Sequence, residues 1–239
     1  MGKAFDFNLI WIFLPKLLVY LHITLFILMA SVAVGMIVGL LIALPRLYRV
    51  PVLNRLVIIY VSFMRGTPIL IQLFLVYYAL PEPLKRLHVD VRDVPALVFV
   101  IITYGLHFGA YFSEIVRAAV GGVDRGQVEA AYSVGMSGLE AFVRVVLPQA
   151  LTIAFPNFGN LVVSSLKDTS LAFSLGVMDM VGRAETLGTT HHYLEIYIAL
   201  AIIYYAICIV LEKGFAAAER RLQRHERRPV IGGVIGHSA

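Results

Sequence analysis

The chain has 239 residues, of which 59% are hydrophobic and 15% charged, with a formal net charge of +5 and a mean hydropathy of +0.83. Soluble domains average roughly 25% charged residues, so the composition excludes an ordinary soluble enzyme and indicates an integral membrane protein. Each crossing takes about 20 apolar residues, which allows four to six helices and no sizeable soluble domain.

The N-terminal segment carries Lys3 and Lys16 ahead of a run, 17–45, without lysine, arginine or acidic residues. A cleaved signal has an apolar region of only about 7–15 residues, so this run is expected to persist as the first membrane helix, tilted or protruding. It holds Gly35 and Gly39, and a later span holds Gly105 and Gly109; such small-xxx-small pairs let helix backbones approach closely in lipid. Leu56–Met64 is too short to cross and predicts an interfacial or oblique helix, broken at Arg65-Gly66. Thr67-Pro68 then offers an N-cap with proline at the first helical position, opening a second span through Leu80. Pro81 and Pro83 mark an external loop reaching Asp93, and a third span runs from Asp93-Val94-Pro95 to Glu114.

Residues 124–148 form a polar interruption between spans. Asp124 with Gln127 reads as a capping box for a helix over 125–134, Gly135 as its left-handed terminator, and Ser137 with Glu140 as a second capping box. The second helix carries Leu139, Phe142, Val143 and Val146 on one face, with Glu140 and Arg144 spaced for an i,i+4 pair. From the residues alone this is either an amphipathic connector on the lipid surface or a docking hairpin. A fourth span is expected from Pro148, bent near Pro156. The polar cluster Lys167-Asp168-Thr169-Ser170, a short segment near 171–180 and a loop rich in Gly, Thr and His follow. The last span covers Tyr193–Leu211, and residues 225–239 form a basic, disordered tail.

Five spans put the termini on opposite sides. With the C-terminus inside, the inner segments hold twelve cationic residues and the outer segments six, so the positive-inside rule selects N-out, C-in and puts the hairpin in the cytosol. The basic tail beside the last span accordingly reads as an anchor to anionic membrane lipids, with no nucleic-acid partner. Cys208 cannot form an internal disulfide and reads as a packing residue. His22, His107, His191 and His192 have no metal-ligand spacing, so no metal site is expected.

The hairpin spacing Glu129-Ala130-Ala131, Gly135, Val145 and Leu147-Pro148 resembles the EAA loop of ABC importer permeases. In chain order, Phe63-Met64-Arg65-Gly66-Thr67-Pro68-Ile69-Leu70-Ile71-Gln72, then Val146-Leu147-Pro148-Gln149-Ala150-Leu151, then Lys167-Asp168-Thr169-Ser170-Leu171 extend the resemblance to the polar amino-acid branch, over residues 10–224. Ala131-Tyr132-Ser133-Val134-Gly135-Met136 with Asp168-Thr169-Ser170-Leu171-Ala172-Phe173 is most similar to cystine-type members. Ser133-Val134 and Gly138-Leu139 depart mildly from a frequent form of the family. The resemblance implies an all-α, polytopic, type I importer transmembrane domain over residues 1–224, multi-pass in the cell inner membrane. It also implies a second permease subunit (homodimer or paralogue), a cytosolic ATPase dimer and an extracytoplasmic amino-acid-binding protein. Residues Glu129, Ala130, Ala131, Gly135, Leu139, Phe142, Leu147 and Pro148 would couple the path to the ATPase.

The chain contains no Gly-x-x-x-x-Gly-Lys-Ser/Thr run; Gly182 to Thr190 lacks the lysine and the spacing. It is expected not to be an enzyme and to bind no cofactor, with ATP and Mg on partner ATPase subunits. Polar residues in spans are the substrate-path candidates because their burial in lipid is costly: Arg65, Thr67, Gln72, Glu114, Asp168 and Ser170. Each has a structural alternative. Asp168 can pair with Lys167, Glu114 with Arg117, Arg65 can cap carbonyls at the helix break, Gln72 can bond a neighbouring helix, and Thr67 can serve as an N-cap. An ATP-independent secondary transporter is the first rival, although ion-coupling carboxylates at mid-membrane and inverted repeats are not evident; a membrane scaffold is the second.

Overall fold

The computed structural model describes residues 5–88, 91, 93–188 and 193–223, and among these there is no strand. The expected tail at 225–239, the pair His191 and His192, and Lys3 and Arg92 lie outside the described residues. The helices are α1 (Phe7–Leu18), α2 (Leu21–Leu47), α3 (Pro51–Gly66), α4 (Ile69–Phe74), α5 (Pro81–Arg86), α6 (Ala96–Gly121), α7 (Arg125–Ser133), α8 (Gly138–Ala141), α9 (Leu147–Asp168), α10 (Met180–Gly188) and α11 (Tyr193–Leu222). A 3₁₀ segment, Thr169–Leu175, extends α9.

Four helical stretches are long and apolar enough to cross a membrane: Leu21–Leu47, Ala96–Gly121, Gly138–Leu175 and Tyr193–Leu222. Pro51–Gly66 with Ile69–Arg86 forms a fifth when the pair, bent by 115°, is counted as one span. The five expected spans therefore correspond to this larger count.

Several boundaries differ from expectation. Residues 17–20 do not begin the first span: the chain turns at Val19–Tyr20, and α1 is a separate helix. Its Ile10, Phe13 and Leu17 are buried against Met180 and Ala184 of α10 and Ile196, Ala199 and Leu200 of α11. The span opened at Thr67-Pro68 does not stop at Leu80 but continues from Ile69 through Pro81 to Arg86. The fourth span does not start at Pro148, because α8 runs into it without a break. Both continuations share one device. A proline ring clashes with the carbonyl four residues back and removes a donor. Here π-helical turns at Leu75–Ala79 and Phe142–Val146 directly precede Pro81 and Pro148 and widen the ladder where that clash would fall.

Close packing joins α2 to α6 through their two glycine pairs. A Cβ on Gly35 would lie 2.7 Å from Phe108 and 2.9 Å from the Gly105 carbonyl oxygen; one on Gly105 would lie 2.6 Å from Val34. The two small-xxx-small motifs thus face each other and bring the backbones together. Further along, α9 packs on α11 at Gly159, where a Cβ would lie only 2.9 Å from the Phe215 ring. Thus α9 is covered by α11 on one side and approached by α2 and α6 on another, and other parts of its surface stay open.

Candidate functional site: a capped hairpin and a polar cleft

The hairpin is built from local hydrogen bonds that its sequence dictates. The Asp124 carboxylate caps α7 by accepting from the Gly126 N–H at 2.7 Å, rather than forming the expected reciprocal box with Gln127. At the other end Gly135 has φ +85°, its N–H donates to the Tyr132 carbonyl, and the Met136 N–H donates to the Ala131 carbonyl. These two bonds make a Schellman motif, which satisfies the carbonyls left open by the helix end. Ser137 and Glu140 then exchange the bonds of a complete capping box. Both the backbone N–H and the hydroxyl of Ser137 donate to the Glu140 carboxylate, at 2.9 and 2.8 Å. Glu140 is therefore occupied by Ser137, and the expected pair with Arg144 does not form.

This chemistry fixes which side chains the hairpin presents. Ala131 and Ala141 are buried between its arms, whereas Glu129, Ala130, Gly135 and Leu139 are exposed, Leu139 to 75%. The expected single greasy face is divided: Val146 is buried against Ala119, Val123 and Ala150, while Leu139 and Val143 face outward. The π turn between them shifts the helical phase. Phe142 and Leu147 lie at the hairpin's base, and Pro148 follows them at the start of α9. Several large apolar side chains, Tyr132, Val134 and Leu139, stand exposed around the tip.

The second feature is an open cleft of ≈ 550 Å³. Its walls are the α3–α4 break (Thr67, Pro68, Ile69), one face of α6 (His107, Tyr111, Ile115) and one face of α9. On α9 the polar residues Asn157, Asn160, Ser164 and Asp168 all line it, and their three- and four-residue spacing places them on a single helical stripe. These asparagines, Ser164, His107 and Tyr111 were not among the candidates drawn from sequence. The signal was present as a polar i,i+3,i+7,i+11 pattern inside an apolar run.

Of the sequence candidates, Asp168 and Thr67 line the cleft, and Arg65 stands beside it with its guanidinium 5.4 Å from the centre of the Tyr111 ring. Gln72 is buried behind the wall and closes the helix break. Its amide nitrogen donates to the carbonyls of Met64 (2.8 Å) and Thr67 (3.0 Å) and to the Thr67 hydroxyl, and its amide oxygen lies 2.9 Å from His107 Nδ1. The Thr67 hydroxyl itself donates back to the Phe63 carbonyl, so Thr67 closes α3 and Pro68 occupies the N-cap position of α4.

Two candidates lie elsewhere. Glu114 forms ion pairs with Arg46 at the end of α2 and with Arg117 at 2.9 Å, tying α2 to α6, and does not line the cleft. Ser170 turns with Lys167 toward a different cavity of ≈ 670 Å³ bounded by α11 residues including Tyr204 and Glu212. Consecutive residues on a helix project about 100° apart, so Lys167 and Asp168 line different cavities, with no ion pair between them among the described residues.

Residues 35–224 match the family described as binding-protein-dependent transport system inner membrane component. The L-cystine transport system permease protein TcyL of Bacillus subtilis (strain 168) is 52% identical over 231 residues, covering 96% of this chain and 97% of that protein. The glutamine transport system permease protein GlnP of Escherichia coli (strain K12) is 33% identical over 220 residues, covering 92% and 98%. A crystal structure of an amino acid ABC transporter superposes with a TM-score of 0.82 at 30% identity, covering 92% of this chain and all of that one. An inward-facing structure of the MetNI methionine ABC transporter shares the fold at TM-score 0.62 and 18% identity. Hairpin, broken span and helix order thus occur in a chain aligned almost end to end with ABC permeases, and it belongs to the family of binding-protein-dependent transport system inner membrane components.

Proposed function

We propose that this chain is the membrane permease subunit of an ATP-driven importer for a polar amino acid, with cystine as the favoured substrate. The cleft supplies the observation that carries the reading: a stripe of two amides, a hydroxyl and a carboxylate opens into ≈ 550 Å³ of space opposite Thr67, His107 and Tyr111. A zwitterion entering such a space requires a compensating anion for its ammonium and donors for its carboxylate. Asp168 provides the first; the Asn157 and Asn160 amides provide the second, with Arg65 beside Tyr111 adding positive charge. The lean toward cystine rests on the 52% identity to a protein named as an L-cystine permease.

In this reading the chain is multi-pass in the plasma membrane with its N-terminus outside and C-terminus inside. The exposed tip of the 124–148 hairpin engages a cytosolic ATPase dimer, and ATP and Mg sit on those partner subunits. A second permease copy or a close paralogue completes the path, and an extracytoplasmic binding protein delivers substrate. The Schellman turn and the capping box make the hairpin a stiff lever. Its second arm is continuous with α9, the helix that carries the polar stripe. Movement imposed on the tip is thereby transmitted to the cleft wall.

The test is uptake of labelled L-cystine by proteoliposomes, comparing this chain alone with the chain assembled with its ATPase and binding protein. Accumulation is expected only in the full assembly with ATP on the hairpin side. Uptake by the chain alone, driven by an ion gradient, would show a secondary transporter.

A further inference from the structure

We infer that this protein carries a binding slot for one acyl chain of an anionic phospholipid, beneath the coupling hairpin and on a different face of α9 from the cleft. The slot has a volume of ≈ 450 Å³ and is bounded by α2, α6 and the first half of α9. Every lining residue is apolar. Its floor includes the buried alanines Ala43, Ala119 and Ala150, and its rims include the exposed Leu41 (62%) and Leu151 (55%). The residues of α9 that line it, such as Leu151, Ala154 and Phe158, alternate around the helix with the cleft residues Asn157, Asn160 and Asp168, so the two sites share a helix and not a surface.

Three observations select the occupant. Along α9 the slot runs from Leu147 to Phe158, about 16 Å at the helical rise, which is about half of the roughly 30 Å hydrocarbon layer and so the depth of a single leaflet. The lining is apolar throughout, which suits a hydrocarbon chain and no polar occupant. Two cationic residues adjoin the lining in sequence at the hairpin end: Arg49 follows Leu47 by two residues and Arg144 lies between Phe142 and Leu147. Both are exposed, and among the described residues neither has a carboxylate within ion-pair distance. Arg144 has no ion pair because Glu140 is held by Ser137. An apolar slot one leaflet deep with unpaired guanidinium groups adjoining its lining in sequence matches a lipid tail under a phosphate headgroup.

The occupant would touch Phe142 and Leu147, the base of the hairpin, and would fill the space between the hairpin arm and the end of α2. Lipid occupancy would therefore set how firmly the lever is braced.

The experiment is native mass spectrometry of the full chain with dioleoyl-phosphatidylglycerol or dioleoyl-phosphatidylcholine, which differ only in headgroup. The wild-type chain is expected to retain one phosphatidylglycerol in preference to phosphatidylcholine by about thirtyfold, the effect of two surface arginines on an anionic headgroup. Joint Arg49→Gln and Arg144→Gln substitution should erase that preference. Ala154→Trp, which fills the slot, should remove retention of either lipid. Should Ala154→Trp fail to fold, Leu151→Asn on the exposed rim adds a polar group without added volume and should weaken retention in the same direction. Unchanged retention in a folded slot variant, or no headgroup preference in the wild type, would overturn the proposal. So would a disulfide-linked dimer of a Leu41→Cys chain in membranes, which would assign the slot to a second copy of the protein.

Discussion

A Gly135→Val substitution is expected to abolish transport while leaving the chain inserted in the membrane. Gly135 adopts φ +85°, a conformation that costs an ordinary L-residue about 1–2 kcal/mol and a β-branched residue more. No side chain crowds the position, since nothing lies within 4 Å of a Cβ placed there. The penalty is therefore purely conformational and falls on the two Schellman bonds that close the end of α7 and set the turn into α8. The spans lie outside this turn and should form normally. Co-purification of the ATPase and ATP-driven uptake should both fall by at least about tenfold, since each 1.4 kcal/mol is a factor of ten. Gly135→Asn, which tolerates the left-handed region, should recover most of both. Full ATPase binding and transport by Gly135→Val would remove the coupling role from the hairpin.

The second large effect is expected at Asp168. Its carboxylate lines the cleft, while its backbone carbonyl accepts from the Tyr104 hydroxyl at 2.8 Å. An Asp168→Asn change keeps that backbone bond and most of the side-chain shape but removes the charge. A hydrogen bond to a charged group contributes about 1.5–3 kcal/mol, so the half-saturating substrate concentration should rise by about ten- to a hundredfold. Assembly and basal ATPase activity should persist, with stimulation by substrate lost. A structural role for Asp168 predicts the opposite pattern, namely poor assembly with normal substrate affinity in whatever assembles. An Asp168→Asn chain that fails to assemble, and whose assembly Lys167→Gln restores, would make Asp168 a structural ion-pair partner.

The parts of this architecture that could be read from the chain alone are those governed by short-range chemistry or by hydropathy. Ser137 with Glu140 and the lone Gly135 announce the turn because caps and left-handed terminators act within a few residues. Four spans follow from apolar length. What escaped depends on tertiary placement. The turn at Val19–Tyr20 interrupts an unbroken apolar run, and only the docking of Ile10, Phe13 and Leu17 onto α10 and α11 separates α1 from α2. Pro81 and Pro148 read as helix boundaries, yet the π turns ahead of them carry the helices through. Glu114 has a neighbouring partner in Arg117, but its link to Arg46 requires α2 and α6 to be brought together by their glycines. Asn157 and Asn160 were not singled out, because only the packing of α9 against its neighbours shows that their face lines the cleft.

The central claim is that the tip of the 124–148 hairpin is the surface on which the ATPase acts. The most direct measurement places a photo-crosslinking amino acid at Leu139, exposed on that tip, and another at Leu87, exposed just beyond α5 and expected on the outer side. Irradiation of the assembled transporter in its native membrane should give an adduct between the Leu139 position and the ATPase subunit, with a yield that changes when ATP is added, and none from the Leu87 position. An ATPase adduct from Leu87 with none from Leu139 would contradict both the orientation and the coupling role of the hairpin.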